Sequence, residues 1–229
     1  MITINRLRQI FFLSMPIIGG MISQNIMNIA DTAMVGHLGA TALAAVGIAS
    51  FAVFMSQSLV LGLSSGVQAI ASRRAGEKNI PLASISLFSG IILSIVFGLA
   101  LFCLVYPFIP LFFSYLNSDL DVAVLGSSYW EIRMFSIIFM GINYSYRGYF
   151  NGISQPKYYM FSLLFIHALN IVLNYLLIFG NFGFPEMGTD GAAIASTIAT
   201  GAGTAMYFYM SVFGLKHLQL FKIIPKKSD

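Results

Sequence analysis

Long apolar runs separated by short polar segments form the pattern of this chain. Six runs are long enough to cross the roughly 30 Å hydrocarbon core of a bilayer, which takes about 20 helical residues. They are residues 10–35, 42–71, 82–108, 123–146, 158–179 and 192–214. Their apolar residues do not alternate with polar ones, so the pattern favours helices over the strands of a membrane barrel. We therefore expect an all-α membrane protein, with a bundle of six transmembrane helices in residues 1–215.

The composition supports a membrane location. Hydrophobic residues make up 58% of the chain and charged residues only 9%, whereas soluble domains carry about 25% charged residues. The first run is too long for the core of a signal peptide and no small-residue cleavage site follows it, so we expect it to remain. We predict an integral plasma membrane protein, the cytoplasmic membrane in a bacterium, whose surroundings are the lipid bilayer.

The basic residues indicate how the helices are oriented. They lie before the first run and after the second, fourth and sixth runs, as Arg6, Arg8, Arg73, Arg74, Lys78, Arg147, Lys157, Lys216, Lys222, Lys226 and Lys227. The other three connections contain no Lys or Arg. Because basic connections stay in the cytoplasm, we predict cytoplasmic termini and a cytoplasmic basic tail at residues 216–229. The net charge of +4 is thus a topology signal, and we expect no nucleic-acid partner.

Asp31 is the only charged residue in the first apolar run. A carboxylate within a membrane helix costs about 2.5–3.5 kcal/mol on insertion scales, so such residues usually face a wet cavity or a protein interior. Gln24, Asn28 and Asp31 have the spacing i, i+4, i+7 and share one helix face. This face is a candidate wall of an ion or substrate path.

The fifth and sixth runs carry polar residues at a matching depth. His167, Asn170 and Asn174 have the spacing i, i+3, i+7 and form a second polar stripe. The depth of a side chain can be counted from the outer end of its helix at 1.5 Å per residue. This depth is about 7–9 Å for Asp31, Asn174, Ser196 and Thr197. We therefore predict one polar site built by three helices in the outer half of the membrane. His167 is expected to be a packed, hydrogen-bonded histidine.

The chemistry of these side chains favours a hard cation. A carboxylate, amide oxygens and a hydroxyl suit Na⁺ or a proton and do not suit a soft transition metal. We expect no cofactor and no metal beyond Na⁺ at Asp31. Interhelical hydrogen bonding remains the alternative role for the amides. No nucleophile–base pair appears, so we do not expect an enzyme.

Pro16 removes a backbone hydrogen bond and predicts a helix kink, either a static bend or a hinge.

One basic residue, Arg133, does not fit the charge pattern, since it lies with Glu131 inside the fourth apolar run. Long charged side chains near a membrane surface can extend to water. We expect Arg133 to reach the outer surface in this way, or to pair with Glu131, Asp119 or Asp121.

Five segments of the chain carry a resemblance to a known family. They are MPIIGGMISQNIMNIADTAMVGHLGATALAAVGIA, GLSSGVQAIASRRAGEKN, RGYFNGISQPK, LNIVLNYLLIFG and GTDGAAIAST. In this order they resemble multidrug and toxic compound extrusion (MATE) transporters across almost the whole chain. The resemblance implies efflux of cationic, amphipathic compounds by antiport with H⁺ or Na⁺.

The resemblance also implies roles for individual residues. It matches Asp31 to the first-helix carboxylate on which cation coupling depends, and Pro16 to the kink-forming proline. Gln24, Asn170 and Ser196 match polar positions around the cation site of the family's first lobe. Asn174 stands where one branch of the family has a second aspartate, so this chain resembles the other branch.

Members of the family have twelve helices in two lobes, so we expect this chain to be the N-terminal six-helix lobe of a two-lobe transporter. Its partners would be a second six-helix lobe and cationic small molecules. Two alternatives remain open: an exporter of lipid-linked sugars with a related fold, and a truncated fragment that does not transport. The basic tail resembles the start of the linker between lobes.

Overall fold

The computed structural model describes residues 4–214, and these residues form helices and short connections with no strand. The main helices are α1 (Ile4–Gly36), α2 (Ala40–Gly76), α3 (Ile80–Val105), α4 (Ile109–Leu116), α5 (Leu120–Met134), α6 (Ile137–Gly152), α7 (Pro156–Phe179) and α8 (Gly188–Tyr209). A π-helical turn, Met210–Gly214, continues α8. The predicted basic tail, residues 216–229, lies outside the described residues.

Four stretches of the described chain are long and apolar enough to cross a membrane. They are Ile10–Gly36, Ala40–Gly76, Ile80–Leu116, which combines α3 and α4, and Pro156–Phe179. The pair α5 and α6 passes the same test jointly as a broken span. Helix α8 has 22 residues, about 33 Å at 1.5 Å per residue. It is less apolar because glycine, alanine and threonine line its buried face, where it packs on α5, α6 and α7.

The fourth apolar run, expected as a single helix over residues 123–146, is broken. Helices α5 and α6 meet at Phe135 and Ser136 and differ in direction by 52°. The buried Ser136 hydroxyl donates to the carbonyl oxygen of Arg133 at 2.6 Å, and its backbone N–H donates to the same oxygen at 3.0 Å. A side chain that enters the helical hydrogen-bond ladder is a known cause of kinks. The break leaves Arg133 in the last turn of α5.

Short polar residues cap the starts of α3 and α5. The Asn79 side chain accepts a hydrogen bond from the Leu82 N–H at 3.1 Å, which caps α3. The Asp119 carboxylate caps α5 by accepting from the N–H groups of Asp121 and Val122. Both contacts satisfy donors that a helix start leaves unpaired. Gly180 ends α7 with φ +68°, a conformation that glycine adopts without strain.

Helix α6 lies at the centre of the bundle and packs on α2, α3, α7 and α8. Glycines allow the closest approaches: a Cβ added at Gly148 would collide with the backbone of Ser64 in α2. Small residues at such crossings let membrane helices approach each other. Close to Gly148 on the same helix, the rings of Tyr146 and Tyr207 stack at 4.7 Å between centroids and join α6 to α8. This packing holds α2, α6, α7 and α8 around a cavity.

Candidate cation and substrate site

Three helices bring polar side chains together around Asp31. The Asn174 amide nitrogen on α7 donates to Asp31 Oδ1 on α1 at 2.6 Å. Asn170, one turn earlier on α7, lies 2.9 Å from the Ser196 hydroxyl on α8. Asn170 and Asn174 are fully buried. The structure thus brings together the four residues that the sequence analysis assigned to one cation site.

The neighbours of Asn170 determine how its amide is oriented. The backbone N–H of Ser196, 3.2 Å away, can only donate, so the amide oxygen of Asn170 faces Ser196. The amide nitrogen then lies 3.0 Å from Asp31 Oδ1 and donates to it. Both asparagines therefore donate to the same carboxylate oxygen. The Asn174 carbonyl oxygen is buried and has no hydrogen-bond partner.

A second set of polar contacts joins α1 to α7 deeper in the bundle. His167 is buried, with Nδ1 2.6 Å from the Ser23 hydroxyl and Nε2 3.2 Å from the Gln24 carbonyl oxygen. The Gln24 amide nitrogen donates to Asn28 Oδ1 at 3.1 Å. His167 is thus a packed, hydrogen-bonded residue, and it holds the polar face of α1 toward α7. Pro16 lies about two turns before Gln24 on α1. The helix continues through Pro16, from Ile4 to Gly36.

The polar face of α1 borders a cavity of about 510 Å³ between α1, α2, α5, α6, α7 and α8. Six residues of the polar faces predicted on the first, fifth and sixth apolar runs line it: Gln24, Asn28, Asp31, His167, Asn170 and Ser196. Thr197 was predicted to line the path and does not. Its hydroxyl donates to the Ile132 carbonyl at 3.3 Å and so faces α5. Thr200, close to one turn further along α8, lines the cavity instead.

Several cavity residues were missed from the sequence. Gln57 on α2 and Asn143 on α6 both line the cavity, and Asn143 also contacts Thr204 at 2.9 Å. The available signal was an amide side chain within an apolar run. Four tyrosines complete the polar lining, namely Tyr129, Tyr144, Tyr159 and Tyr207.

Arg133 also lines the cavity, contrary to the expectation that it reaches the outer surface or pairs with a nearby acid. Within residues 4–214 it forms no ion pair, and its Nη1 is buried without a hydrogen-bond partner. Arg147, expected in a connection, lies inside α6 and lines the cavity as well. Its guanidinium lies over the Tyr159 ring, 5.3 Å from the centroid.

Comparison with known proteins identifies relatives of the chain. Residues 16–176 match the MatE family. The chain is 29% identical over 199 residues to a probable multidrug resistance protein NorM of Rhizobium meliloti, covering 87% of this chain and 42% of that protein. It is 25% identical over 221 residues to a protein of the same description from Thermotoga maritima, covering 96% of this chain and 47% of that protein.

Solved structures share the fold. An outward-facing multidrug resistance MATE family transporter has a TM-score of 0.82 and 25% identity, covering 94% of this chain and 49% of that one. A MATE structure in the straight conformation also has a TM-score of 0.82, with 28% identity, covering 94% of this chain and 47% of that one. The chain spans about half the length of the relatives it matches. The family match covers most of its helices, and the chain belongs to the MatE family of transporters.

Proposed function

We propose that this chain forms the N-terminal lobe of an antiporter that exports amphipathic compounds with a cationic group in exchange for inward H⁺ or Na⁺. One observation carries the proposal: Asp31, the only carboxylate that lines the cavity in the described part of the chain, is held by two buried asparagines. Relatives described as multidrug resistance proteins support the direction of transport. The proposed location is the plasma membrane, with both chain termini in the cytoplasm.

Asp31 is the proposed binding point for the coupling cation. The unpartnered carbonyl oxygen of Asn174 adds an acceptor beside the carboxylate, and oxygen ligands of this kind suit hard cations. A proton bound to Asp31 would use the same neighbours as hydrogen-bond partners. In either case the bound cation changes the charge of the cavity wall. Because the affinity for the cation differs between conformations, binding favours the conformation with the higher affinity. Substrate and cation then alternate at the site.

A second lobe is part of this proposal. The chain covers 47% of the Thermotoga maritima relative and 49% of the outward-facing transporter. In two-lobe transporters the substrate site lies between the repeats near the membrane midplane, and the lobes rock around it. The cavity described above would be one wall of that site. Pro16 would let α1 bend as the cation binds and leaves, because it removes one hydrogen bond from the helix.

The test is ion-driven efflux by the complete assembly. The protein would be purified from its native membranes through a tag on this chain, together with any partner lobe, and reconstituted into vesicles. Asp31→Asn is expected to lower ion-driven efflux of a cationic dye to the level of empty vesicles and to leave the amount of inserted protein unchanged. Separate H⁺ and Na⁺ gradients identify the coupling ion.

Asp121→Asn is the matched control, because Asp121 is an exposed carboxylate at the start of α5, away from the cavity. Efflux of this variant should equal that of the unmodified protein. Ion-driven efflux that persists in Asp31→Asn would overturn the proposed coupling role. Absence of efflux from the unmodified assembly would favour a chain that does not transport.

A further inference from the structure

A groove lies between the end of α2 and the start of α3, at the surface of the bundle. It encloses about 160 Å³ and is lined by Ile70, Arg74, Leu82, Ile85, Ser86 and Ser89. The apolar side chains among these residues are exposed. None of the six residues lines the larger cavity around Asp31. This α2–α3 groove is therefore separate from the candidate cation site.

Two adjacent arginines at the end of α2 differ in their surroundings. The Arg73 side chain is 79% exposed, whereas the Arg74 side chain is 41% exposed and lines the groove. Arg74 Nη1 donates to the Glu77 carboxylate at 2.9 Å, and Arg73 Nε donates to it at 3.3 Å. Such surface ion pairs contribute little, and a guanidinium has five N–H donors. Arg74 can therefore bind a further acceptor at the groove.

Polar side chains continue along α3 below Arg74. Ser86 and Ser89 lie about 9 and 13.5 Å from Ile80, counted at 1.5 Å per residue. The Ser86 hydroxyl donates to the carbonyl oxygen of Ala83 at 2.7 Å. Ser89 is exposed, and within residues 4–214 its hydroxyl has no hydrogen-bond partner. Because an unpaired hydroxyl is costly in an apolar environment, the groove favours an acceptor beside Ser89.

The groups along the groove follow the order of groups in a glycerophospholipid. The guanidinium of Arg74 suits a phosphate, to which it donates parallel hydrogen bonds. The hydroxyl of Ser89 suits an ester carbonyl oxygen, and Ile70 and Ile85 provide apolar surface for an acyl chain. A soluble anion would use only the first of these groups. The remainder of the lipid would lie in the bilayer beside the groove.

We propose that the α2–α3 groove binds an anionic glycerophospholipid, with the phosphate on Arg74. The segment 73–78 carries three basic residues and one acidic residue, and this excess of positive charge favours an anionic over a zwitterionic head group. The distribution of basic residues predicts that this connection is cytoplasmic. Basic pockets between membrane helices on that side bind anionic head groups. The inference concerns a surface outside the cavity and does not depend on the transport function.

Two lipids with the same acyl chains test the inference. Dioleoyl phosphatidylglycerol carries a net negative charge, and dioleoyl phosphatidylcholine carries none. Each lipid would be titrated into the purified assembly in mild detergent, and the bound fraction would be measured by native mass spectrometry. Phosphatidylglycerol is expected to bind on the order of five-fold more tightly. Equal affinity for the two lipids would overturn the proposal.

Variants at the end of α2 show whether the groove is responsible. R74Q is expected to weaken binding of phosphatidylglycerol on the order of 10-fold, because it removes a charge-assisted hydrogen bond, and to change phosphatidylcholine binding by less than about two-fold. R73Q is the matched control, since Arg73 has the same charge and the same Glu77 partner but does not line the groove. It should change either affinity by less than about two-fold.

E77Q distinguishes lipid binding from a structural role of the ion pair. It removes the same ion pair as R74Q and leaves the guanidinium free, so the affinity for phosphatidylglycerol should stay the same or rise. A loss in E77Q as large as in R74Q would mean that the ion pair orders the connection. Equal losses in R74Q and R73Q would mean a diffuse attraction to a basic surface. Either result would overturn the proposal.

A further comparison separates a lipid from a free phosphate. Ester carbonyls are common to both lipids, so S89A should weaken the binding of both by a similar factor of about two- to five-fold. Glycerol 3-phosphate has the phosphate but no acyl chains, so an excess of about 10-fold over phosphatidylglycerol should not displace the lipid. Displacement by glycerol 3-phosphate, or unchanged lipid binding in S89A, would show that the groove holds no more than a free phosphate, and the lipid proposal would be wrong.

Discussion

Asn170 connects the carboxylate on α1 to the hydroxyl on α8, so it should affect cation binding without carrying charge itself. Its amide contacts Asp31 and Ser196 at 3.0 and 2.9 Å. Hydrogen bonds to charged groups contribute about 1.5–3 kcal/mol. Asn170→Ala is therefore expected to raise the concentration of H⁺ or Na⁺ needed for half-maximal efflux by on the order of 10-fold.

Double variants show whether these residues share one bound ion. Side chains that contact a common ion are energetically coupled. Asn170→Ala combined with Asp31→Asn should thus cause no further loss beyond Asp31→Asn, measured as ion-dependent efflux at equal protein amounts. Independent, additive losses would mean that Asn170 serves helix packing and that only Asp31 belongs to the cation path. Loss of folded protein in Asn170→Ala alone would indicate the same structural role.

Residue types and spacing were sufficient to bring Asp31, Asn170, Asn174 and Ser196 into one site. A polar side chain in a membrane helix needs a polar neighbour, and helical periodicity shows which residues share a face. The same reasoning failed for Thr197, because a hydroxyl can satisfy itself on a neighbouring backbone carbonyl, as it does with Ile132. Spacing within α8 alone does not show which of its faces borders the cavity.

At the scale of helices, the crossing of α6 and α2 depends on Gly148. A methyl group there would collide with the backbone of Ser64, which cannot rotate away as a side chain can. Forcing extra volume into a packed interior costs about 1–3 kcal/mol. Gly148→Ala is therefore expected to lower the Tm of the detergent-solubilised protein by several degrees, measured by intrinsic fluorescence during heating.

Gly62→Ala, on α2, is the control for this prediction. A Cβ added at Gly62 has no atom within 4 Å, and alanine favours a helix over glycine by about 1 kcal/mol. The Tm of this variant should stay the same or rise. An equal fall in both variants would show that the close crossing of α6 and α2 contributes little to stability.

The break between α5 and α6 shows a limit of the apolar pattern. Helix-breaking residues are the usual signals of a kink, and residues 134–137 contain neither proline nor glycine. At the break, the Ser136 side chain bonds back to the Arg133 carbonyl. Serine in a membrane helix often makes such a bond without breaking the helix, so the sequence did not predict the bend. The orientation of Arg133 toward the cavity was missed for the same reason.

For the whole molecule, the order of apolar runs was enough to predict a helical membrane bundle, and the matched segments were enough to predict its family. The length of the relatives, about twice that of this chain, makes a second lobe a natural partner.

The orientation of the bundle in the membrane is the last prediction, and it rests on the distribution of lysine and arginine. Cys103 is exposed, so it would first be replaced by serine to give a background without thiols. Ser118→Cys and Glu186→Cys lie in the connections without basic residues, and both positions are exposed. These two thiols should react with a membrane-impermeant maleimide added to intact cells.

The opposite side supplies the control positions. Lys78→Cys and Ser154→Cys lie in the connections that contain basic residues, also at exposed positions. They should react only after the cells are permeabilised, and all four thiols should react equally once they are. The inverse pattern would place the Asp31 cluster in the cytoplasmic half of the membrane. The predicted orientation of the bundle, with both termini in the cytoplasm, would then be wrong.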